Sequence, residues 1–332
     1  MRRIPGKVCI IILNWNGWAD TLECLNSLVQ LKLQPLSIVV VDNGSTDQSV
    51  KHILSWAAER FGHVPVLESD KVDSIIFEVP PSFLLIRNPV NLGFAGGNNP
   101  ALSWALRQDF FEFLWLLNND TAVHPDTLST LLNCTKETGA GIVGSTVVYA
   151  DQPEIIQCAG GCFYNPLTTI FRPYLAKESV QTALQQEAPL DFDYIFGASL
   201  FICVEVFTCC GLLNEEYFLF YEEIDLCRRA KEEGLSLHWC RQSVVLHKGS
   251  RSVGRPDSAG GKKLAFANYH ENLSTLQFTR RFYPWLLPLT LLFRFFGKLA
   301  AVGVRGDWFL IRPLLVAYGD FFRGRNRRDR FS

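Results

Sequence analysis

The residues best equipped for chemistry fall in three short polar segments. They are Asp42-Asn43-Gly44-Ser45-Thr46-Asp47, Asn91-Leu92-Gly93-Phe94-Ala95-Gly96-Gly97-Asn98-Asn99, and Asn118-Asn119-Asp120-Thr121. Each follows an apolar run that reads as a buried strand, so each stands at a strand's carboxyl end, the sheet edge where open α/β folds bind ligands. A carboxylate, a glycine-rich loop and a second carboxylate on one edge suit a nucleoside diphosphate held with a divalent cation. Taken singly, Asp42 and Asp120 would read as turn or cap residues. Their order and common position give them weight.

Two further groups lie downstream. Tyr221-Glu222-Glu223-Ile224-Asp225-Leu226 puts three carboxylates at the start of a helical stretch. A positioned carboxylate can take a proton from an attacking hydroxyl, although acids there also simply complement the helix dipole. His247 follows an apolar strand and precedes Lys248-Gly249-Ser250-Arg251. A lone His is commonly a structural residue, but here Lys248, Arg251 and Arg255 would form a basic lid over a diphosphate. The glycines at 93, 96 and 97 match neither G-x-G-x-x-G nor a Walker loop, because no Gly-Lys-Ser/Thr follows. Dehydrogenase and P-loop readings therefore fail.

The elements that must position these residues alternate at the βα period. Strands are predicted over 8–13, 37–41, 83–86, 113–117 and 141–148, and helices over 19–30, 46–60, 97–108 and 125–138. Residues 61–81 read as a surface insertion, and 153–189 as irregular. A strand follows over 194–204, then a helix over 222–233, one or two strands ending at 246, a mobile Gly/Ser/Arg-rich stretch over 250–261, and a helix over 262–281.

The chain has 332 residues and a net charge of -1, which gives no overall attraction to nucleic acid. Its ten scattered cysteines lack a paired C-x-x-C set, so they read as reduced thiols. Met1-Arg2-Arg3 with the apolar run 8–13 superficially suggests a signal peptide, but Asn14, Trp15 and Asn16 break the run, and a first strand fits better. From Arg294 to Arg330, nine Lys or Arg stand against three Asp. Residues 284–304 are long enough to span a bilayer, yet Arg294 and Lys298 sit in the middle. Their spacing with Arg305 and Arg312 predicts one basic stripe on an amphipathic segment in the membrane interface. The alternative is a helix packed on the protein's own core.

In motif content and order, residues 7–281 resemble the family 2 glycosyltransferases of the GT-A fold, especially the rhamnosyltransferase-like branch. The resemblance implies a Rossmann-like α/β sheet flanked by helices, with a glycosyltransferase domain over 1–281 and a helical, membrane-associating extension over 282–332. Within the domain, a nucleotide-sugar half covers about 1–148 and an acceptor half 149–281. It implies that Asp42 receives the nucleobase, helped by Asn14 and Asn16. Asn91, Gly93, Gly96, Gly97, Asn119 and Asp120 would line the rest of the donor site. Asn118-Asn119-Asp120 stands where the family has its D-x-D motif, leaving Asp120 as the principal ligand of Mg²⁺ or Mn²⁺, with His247 beside it. Glu223 takes the place of the family's catalytic Asp, and Asp225 is the alternative base. Gly197, in Asp193-Tyr194-Ile195-Phe196-Gly197-Ala198, and Glu222 would face the acceptor. The family's Arg-Asn pair appears here as Glu271-Asn272.

The implied activity is metal-dependent inverting transfer of a sugar, rhamnose first, from a nucleoside diphosphate sugar to a lipid-linked or cell-surface glycan. The implied location is peripheral, on the cytoplasmic face of the membrane, in polysaccharide or cell-wall biosynthesis. A non-catalytic sugar-nucleotide or glycan-binding subunit is the alternative, kept open by Asn118 and Glu223. A nucleotidyltransferase would place a Gly-rich loop where Asn14-Trp15-Asn16-Gly17 stands.

Overall fold

The computed structural model describes residues 6–186, 191–249, 260–326 and 331. The first half builds β1 (Gly6–Asn14), α1 (Trp18–Leu28), β2 (Pro35–Asn43), α2 (Ser49–Phe61), β3 (Val66–Glu68), β4 (Phe83–Asn88) and α3 (Gly93–Arg107). It continues with β5 (Phe113–Asn118), β6 (Thr121–Val123), α4 (Thr127–Thr138) and β7 (Ile142–Tyr149). Strand β1 shows why a sheet forms here. Cys9 and Ile11 pack into one apolar layer with Leu102 and Trp104. Val8, Ile10 and Ile12 pack into the opposite layer with Leu28 and Ile53. A strand apolar on both faces has to be central, and β1 pairs in parallel with β2 on one side and β5 on the other.

The second half contains β8 (Gln152–Ala159), β9 (Gly161–Asn165), β10 (Ile170–Pro173), α5 (Val180–Gln185), β11 (Tyr194–Ile195), β12 (Ser199–Cys203) and α6 (Val204–Cys210). After these come α7 (Glu222–Glu232), β13 (Leu237–His247), α8 (Gly260–Phe282), α9 (Leu287–Arg305) and α10 (Ile311–Phe322). The main sheet runs β3-β4-β2-β1-β5-β12-β7-β13-β6, with β8 paired to β7, and a small sheet runs β10-β9-β11. Antiparallel β12 enters between β5 and β7. That insertion brings the residues just before it to the ligand edge made by β1, β2 and β5.

Several expectations are corrected. Residues 153–186 of the stretch expected to be irregular instead form most of β8, then β9, β10 and α5, while 187–189 lie outside the described residues. The predicted strand over 194–204 is two strands separated by Phe196-Gly197-Ala198. Helix α3 starts at Gly93, four residues before its predicted start, so the glycine-rich string is the helix's first turn. The insertion 61–81 holds β3 and a 3₁₀ turn, Ser69–Ser74. The predicted mobile stretch, with Arg251 and Arg255, lies mostly outside the described residues, and so do Arg327, Arg328 and Arg330.

The carboxyl-terminal segment packs one side of a helix on the protein's own core and leaves another side exposed. Leu287, Leu291, Phe295 and Leu299, spaced by four, pack α9 against Tyr269, Leu273 and Leu276 of α8 and Leu314 and Tyr318 of α10. On another side of α9, Leu289, Leu292, Phe293 and Phe296 stay exposed. Residues Pro284–Arg305 form a helix long and apolar enough to cross a membrane by length and composition. The predicted basic stripe is corrected: Arg294 and Lys298 turn inward to Glu271, at 2.9 Å each. Arg294 also donates to Asn272 Oδ1 and Thr169 Oγ1. A cation from the extension thus reaches the position where the resemblance expects Arg-Asn and this chain has Glu271-Asn272.

Candidate active site

The sheet register collects the motif residues. Asn14 lies opposite Asp42 across β1 and β2, and Leu13 opposite Asn118 across β1 and β5. Asp42 is buried, and one of its carboxylate oxygens accepts from Asn14 Nδ2 at 2.9 Å. The other accepts from Ser45 N–H at 3.1 Å. Asn14 Oδ1 accepts from Thr21 Oγ1, whose oxygen in turn accepts from Asn119 Nδ2. One continuous hydrogen-bonded chain therefore joins the loop after β5 to the loop after β2, through Thr21, which the sequence did not single out. Asn16 sits at φ 50 and its Oδ1 accepts from the N–H groups of Thr46 and Asp47. Asn14, Asn16 and Asn119 hold the loops around Asp42 and Asp120 in place.

Asn91 plays the same part for the glycine-rich turn. Its Oδ1 accepts from Gly93 N–H and from Asn43 Nδ2. Gly93 has φ +77, and a Cβ there would lie 2.1 Å from the Phe218 carbonyl oxygen. Only glycine fits. The next N–H, of Phe94, donates to that carbonyl. Gly96 and Gly97 are buried as well, Gly97 against Leu13 and Asn43. The expected phosphate cradle is corrected at this point: the first two N–H groups of α3 already have protein acceptors, and the glycines seat the loop that leads into α7.

Asp120 and His247 face each other. Strand β13 pairs antiparallel with β6, His247 opposite Thr121, which sets His247 Nε2 3.2 Å from Asp120 Oδ1. Both are buried. The ring's other nitrogen, Nδ1, lies 2.8 Å from Gln157 Oε1. Gln157 Nε2 donates to the His247 carbonyl oxygen, so the amide is oriented with Oε1 toward the ring. Nδ1 must therefore donate, which leaves Nε2 as the ring atom that faces the Asp120 carboxylate. Nitrogen and oxygen at that distance can share a proton or, with Nε2 unprotonated, a metal cation. Cis ligands of an octahedral divalent ion lie roughly 3 Å apart. Asp120 and His247 fit Mg²⁺ or Mn²⁺, with Gln157 fixing the ring's tautomer. Among the described residues, no group of three or more metal-ligating side chains gathers, so phosphate oxygens and waters would fill the other positions. Sequence reasoning missed Gln157; only the fold, which pairs both β8 and β13 with β7, reveals it.

The acids of α7 separate cleanly. Asp225 is fully buried, with Arg229 at 2.6 Å and Arg281 at 3.5 Å, and accepts from Tyr217 OH. That network is structural, and it removes Asp225 as an alternative base. Glu223 is half-buried beside Gly197, where an added Cβ would meet its Oε1 at 3.1 Å. Gly197 leaves room for that carboxylate. Burial pushes the Glu223 carboxyl above its ordinary pKa of 4.5. Glu222 is 2% exposed and its Oε1 has no hydrogen-bond partner among the described residues. Burial first, and then the charge of Glu223, raise Glu222 well above the carboxylate range. It faces protein rather than an open acceptor surface, which corrects its predicted role. Phe220 and Tyr221, just before α7, both have positive φ, at 68 and 75. Two aromatic residues in that conformation mark a strained turn that fixes the helix start.

Lys248 is also corrected. Its Nζ pairs with Asp20 and Glu23 of α1 and does not cover a diphosphate. The ring of Phe196, next to Gly197, lies edge-on to His247 at 6.3 Å, which ties the acceptor-side turn to the metal pair.

Residues 9–157 match the family model described as glycosyl transferase family 2. That match covers the first, β/α-alternating part of the chain, from β1 into β8. Over 239 residues the chain is 24% identical to the low-salt glycan biosynthesis hexosyltransferase Agl10 of Haloferax volcanii, covering 72% of this chain and 75% of that protein. It is 26% identical over 228 residues to the uncharacterized protein y4gI of Sinorhizobium fredii, covering 67% of this chain but only 22% of y4gI. Among solved structures, the mannosyltransferase PcManGT of Pyrobaculum calidifontis, in complex with GDP-Man and Mn²⁺, superposes with a TM-score of 0.52 at 14% identity. That match covers 98% of this chain and 89% of PcManGT. GalNAc-T7 with UDP, GalNAc and Mn²⁺ gives 0.54 at 13% identity, over 83% of this chain and 51% of its own. Likeness this distant shows the fold alone, a mixed α/β architecture of GT-A type.

Proposed function

We propose that the protein is a divalent-metal-dependent, inverting hexosyltransferase that moves a sugar from a nucleoside diphosphate donor to a glycan acceptor. The observation that carries this reading is the Asp120–His247 pair, whose facing oxygen and nitrogen suit a divalent cation, on the same sheet edge as Asp42. Asp42 keeps acceptor capacity on each oxygen beyond its one protein bond, so it can receive a base N–H. When bound at Asp120 and His247, the cation neutralises charge on the departing diphosphate.

On the acceptor side, Glu223 takes the proton of the attacking hydroxyl. A raised pKa makes it a stronger base than an exposed carboxylate, and Gly197 keeps its position open. Single displacement with one base inverts the anomeric centre. Glu222 stays neutral beside it, so the two acids do not repel in the working state. The name of Agl10 supports a hexose and a role in glycan biosynthesis, and dTDP-rhamnose remains the first donor to try. The exposed face of α9 supports a peripheral position on the cytoplasmic membrane surface, with a lipid-linked acceptor within reach.

The test is nucleoside diphosphate release from a panel that includes dTDP-rhamnose, GDP-mannose and UDP-hexoses, with Mg²⁺ or Mn²⁺. Slow donor hydrolysis needs no acceptor. Release from one donor, lost in Asp120→Ala and on chelation, is the expected result. No release, and no thermal stabilisation by any donor, would overturn the reading.

A further inference from the structure

Between α8, α9 and the turn joining β9 to β10 lies a groove of about 860 Å³ that the transfer reaction does not use. Its rim is apolar on both sides. Leu167 and Ile170 on the hairpin turn are 58% and 63% exposed, and Leu289 and Phe293 on α9 are 43% and 68% exposed. The interior is polar and cationic. Arg294, Lys298 and Arg305 line it against the carboxylates of Glu271 and Asp307. Both oxygens of Glu271 already accept from Lys298, at 2.9 and 3.0 Å, and one also accepts from Arg294. One carboxylate thus answers two partly buried cations, and Arg305 stands exposed at the same groove. Thr290 lines the groove too. It is 1% exposed, and its hydroxyl has no hydrogen-bond partner among the described residues. A surplus of positive charge and an unused hydroxyl, enclosed by apolar walls, complement a phosphate attached to hydrocarbon.

The surroundings favour a membrane lipid over a free anion. Outside the groove, α9 continues as an exposed apolar face through Leu292 and Phe296. Trp285 and Trp308, 69% and 64% exposed, flank its two ends. Tryptophans at the ends of an apolar helix face are the pattern of a segment lying at headgroup depth.

We infer that this groove seats the phosphate of an anionic membrane lipid, whose chains run along the exposed face of α9. The inference rests on the reading of the protein as a peripheral membrane enzyme, and its test is independent of activity. The lipid would hold the acceptor half against the bilayer through Arg294, which bonds Thr169 in the hairpin and Asn272 in α8.

The experiment is flotation of the full chain with phosphatidylcholine vesicles, with and without phosphatidylglycerol. Wild type should partition onto the phosphatidylglycerol vesicles far more than onto phosphatidylcholine alone. Arg305→Glu should weaken that partition about tenfold, and Arg305→Gln by less. Lys136→Glu, an equal charge change on exposed α4 surface, should leave it unchanged. Because Arg305 is exposed, these variants keep the fold, which thermal melts will verify. Equal partition of wild type onto both vesicle types, or equal losses in Arg305→Glu and Lys136→Glu, would overturn the groove. Donor hydrolysis measured without vesicles separates the two readings. Intact hydrolysis with failed flotation sinks the groove alone. Flotation as expected, with every donor inert, supports the groove and sinks the transferase.

Discussion

The two halves of the molecule treat their polar groups in opposite ways. Where β1, β2 and β5 end, nearly every side chain is bonded to another: Asn119 to Thr21, Thr21 to Asn14, Asn14 to Asp42, and Asn43 to Asn91. At the start of α7, one oxygen of Glu222 is buried without a hydrogen-bond partner among the described residues. Burial and its ring environment leave His270, stacked on Phe218, a weak base with its pKa lowered to about 3. The difference agrees with the proposed division of labour. In that proposal the donor half is preorganised, so a nucleotide would meet fixed dipoles with little reorganisation. The acceptor half holds desolvated acids whose proton affinity is raised, which suits proton transfer and costs stability.

The sharpest way to break this comparison is to remove the base. Glu223→Gln should lower the transfer rate by roughly 10²–10⁴-fold while leaving donor affinity near wild type, read as kcat against KM. The wild-type pH profile should agree. The base works only when ionised, so kcat/KM should fall as pH drops through a pKa lying above the ordinary 4.5. An acid limb at or below 4.5 would count against Glu223.

Asp225→Asn is the control on the same helix. It breaks the buried pair with Arg229 and should cost about 3–5 kcal/mol of folding stability, seen in denaturant melts, with kcat per folded molecule retained. A rate collapse without a stability loss would reverse the assignments of Glu223 and Asp225. Smaller still, Gln157→Leu should weaken Mn²⁺ binding about 10–100-fold by releasing the His247 ring, with donor-base recognition at Asp42 unaffected.

The smallest effect belongs to Glu222→Gln. A carboxyl whose pKa is raised in the folded state leaves stability untouched at low pH, where it is protonated in both states. The penalty grows as pH rises through the unfolded-state value, because only the unfolded chain can ionise freely. Glu222→Gln should therefore stabilise the protein by about 1–2 kcal/mol near neutral pH and by nothing near pH 4, in paired melts. Equal effects at both pH values would mean that charge at Glu222 is not the cause.

The donor half was legible because its signals are local. Apolar runs ending in Asp42 and Asn118 set both strand and edge, and the motif order carried the resemblance. Residues 153–189 were not legible because their strands are short and one-sided: β8 begins exposed at Gln152 and becomes buried only from Ile156. Gln157 looked like an ordinary polar residue, since its meaning depends on His247, 90 positions away. Arg294 misled for a similar reason. Centred in an apolar stretch, it read as a lipid-facing cation, whereas Glu271, 23 positions earlier, had already turned it inward. The glycines of the 93–97 turn were correctly read as close-approach positions, but what approaches Gly93 is the carbonyl of Phe218.

The central claim is that Asp120 and His247 hold a divalent cation as a pair. The most direct test is a calorimetric titration of Mn²⁺ into the protein with nucleoside diphosphate present, comparing wild type with Asp120→Ala and with His247→Ala. The account predicts one ion bound by wild type, with uptake lost in Asp120→Ala and strongly weakened in His247→Ala. Equal Mn²⁺ uptake by all three proteins would contradict it.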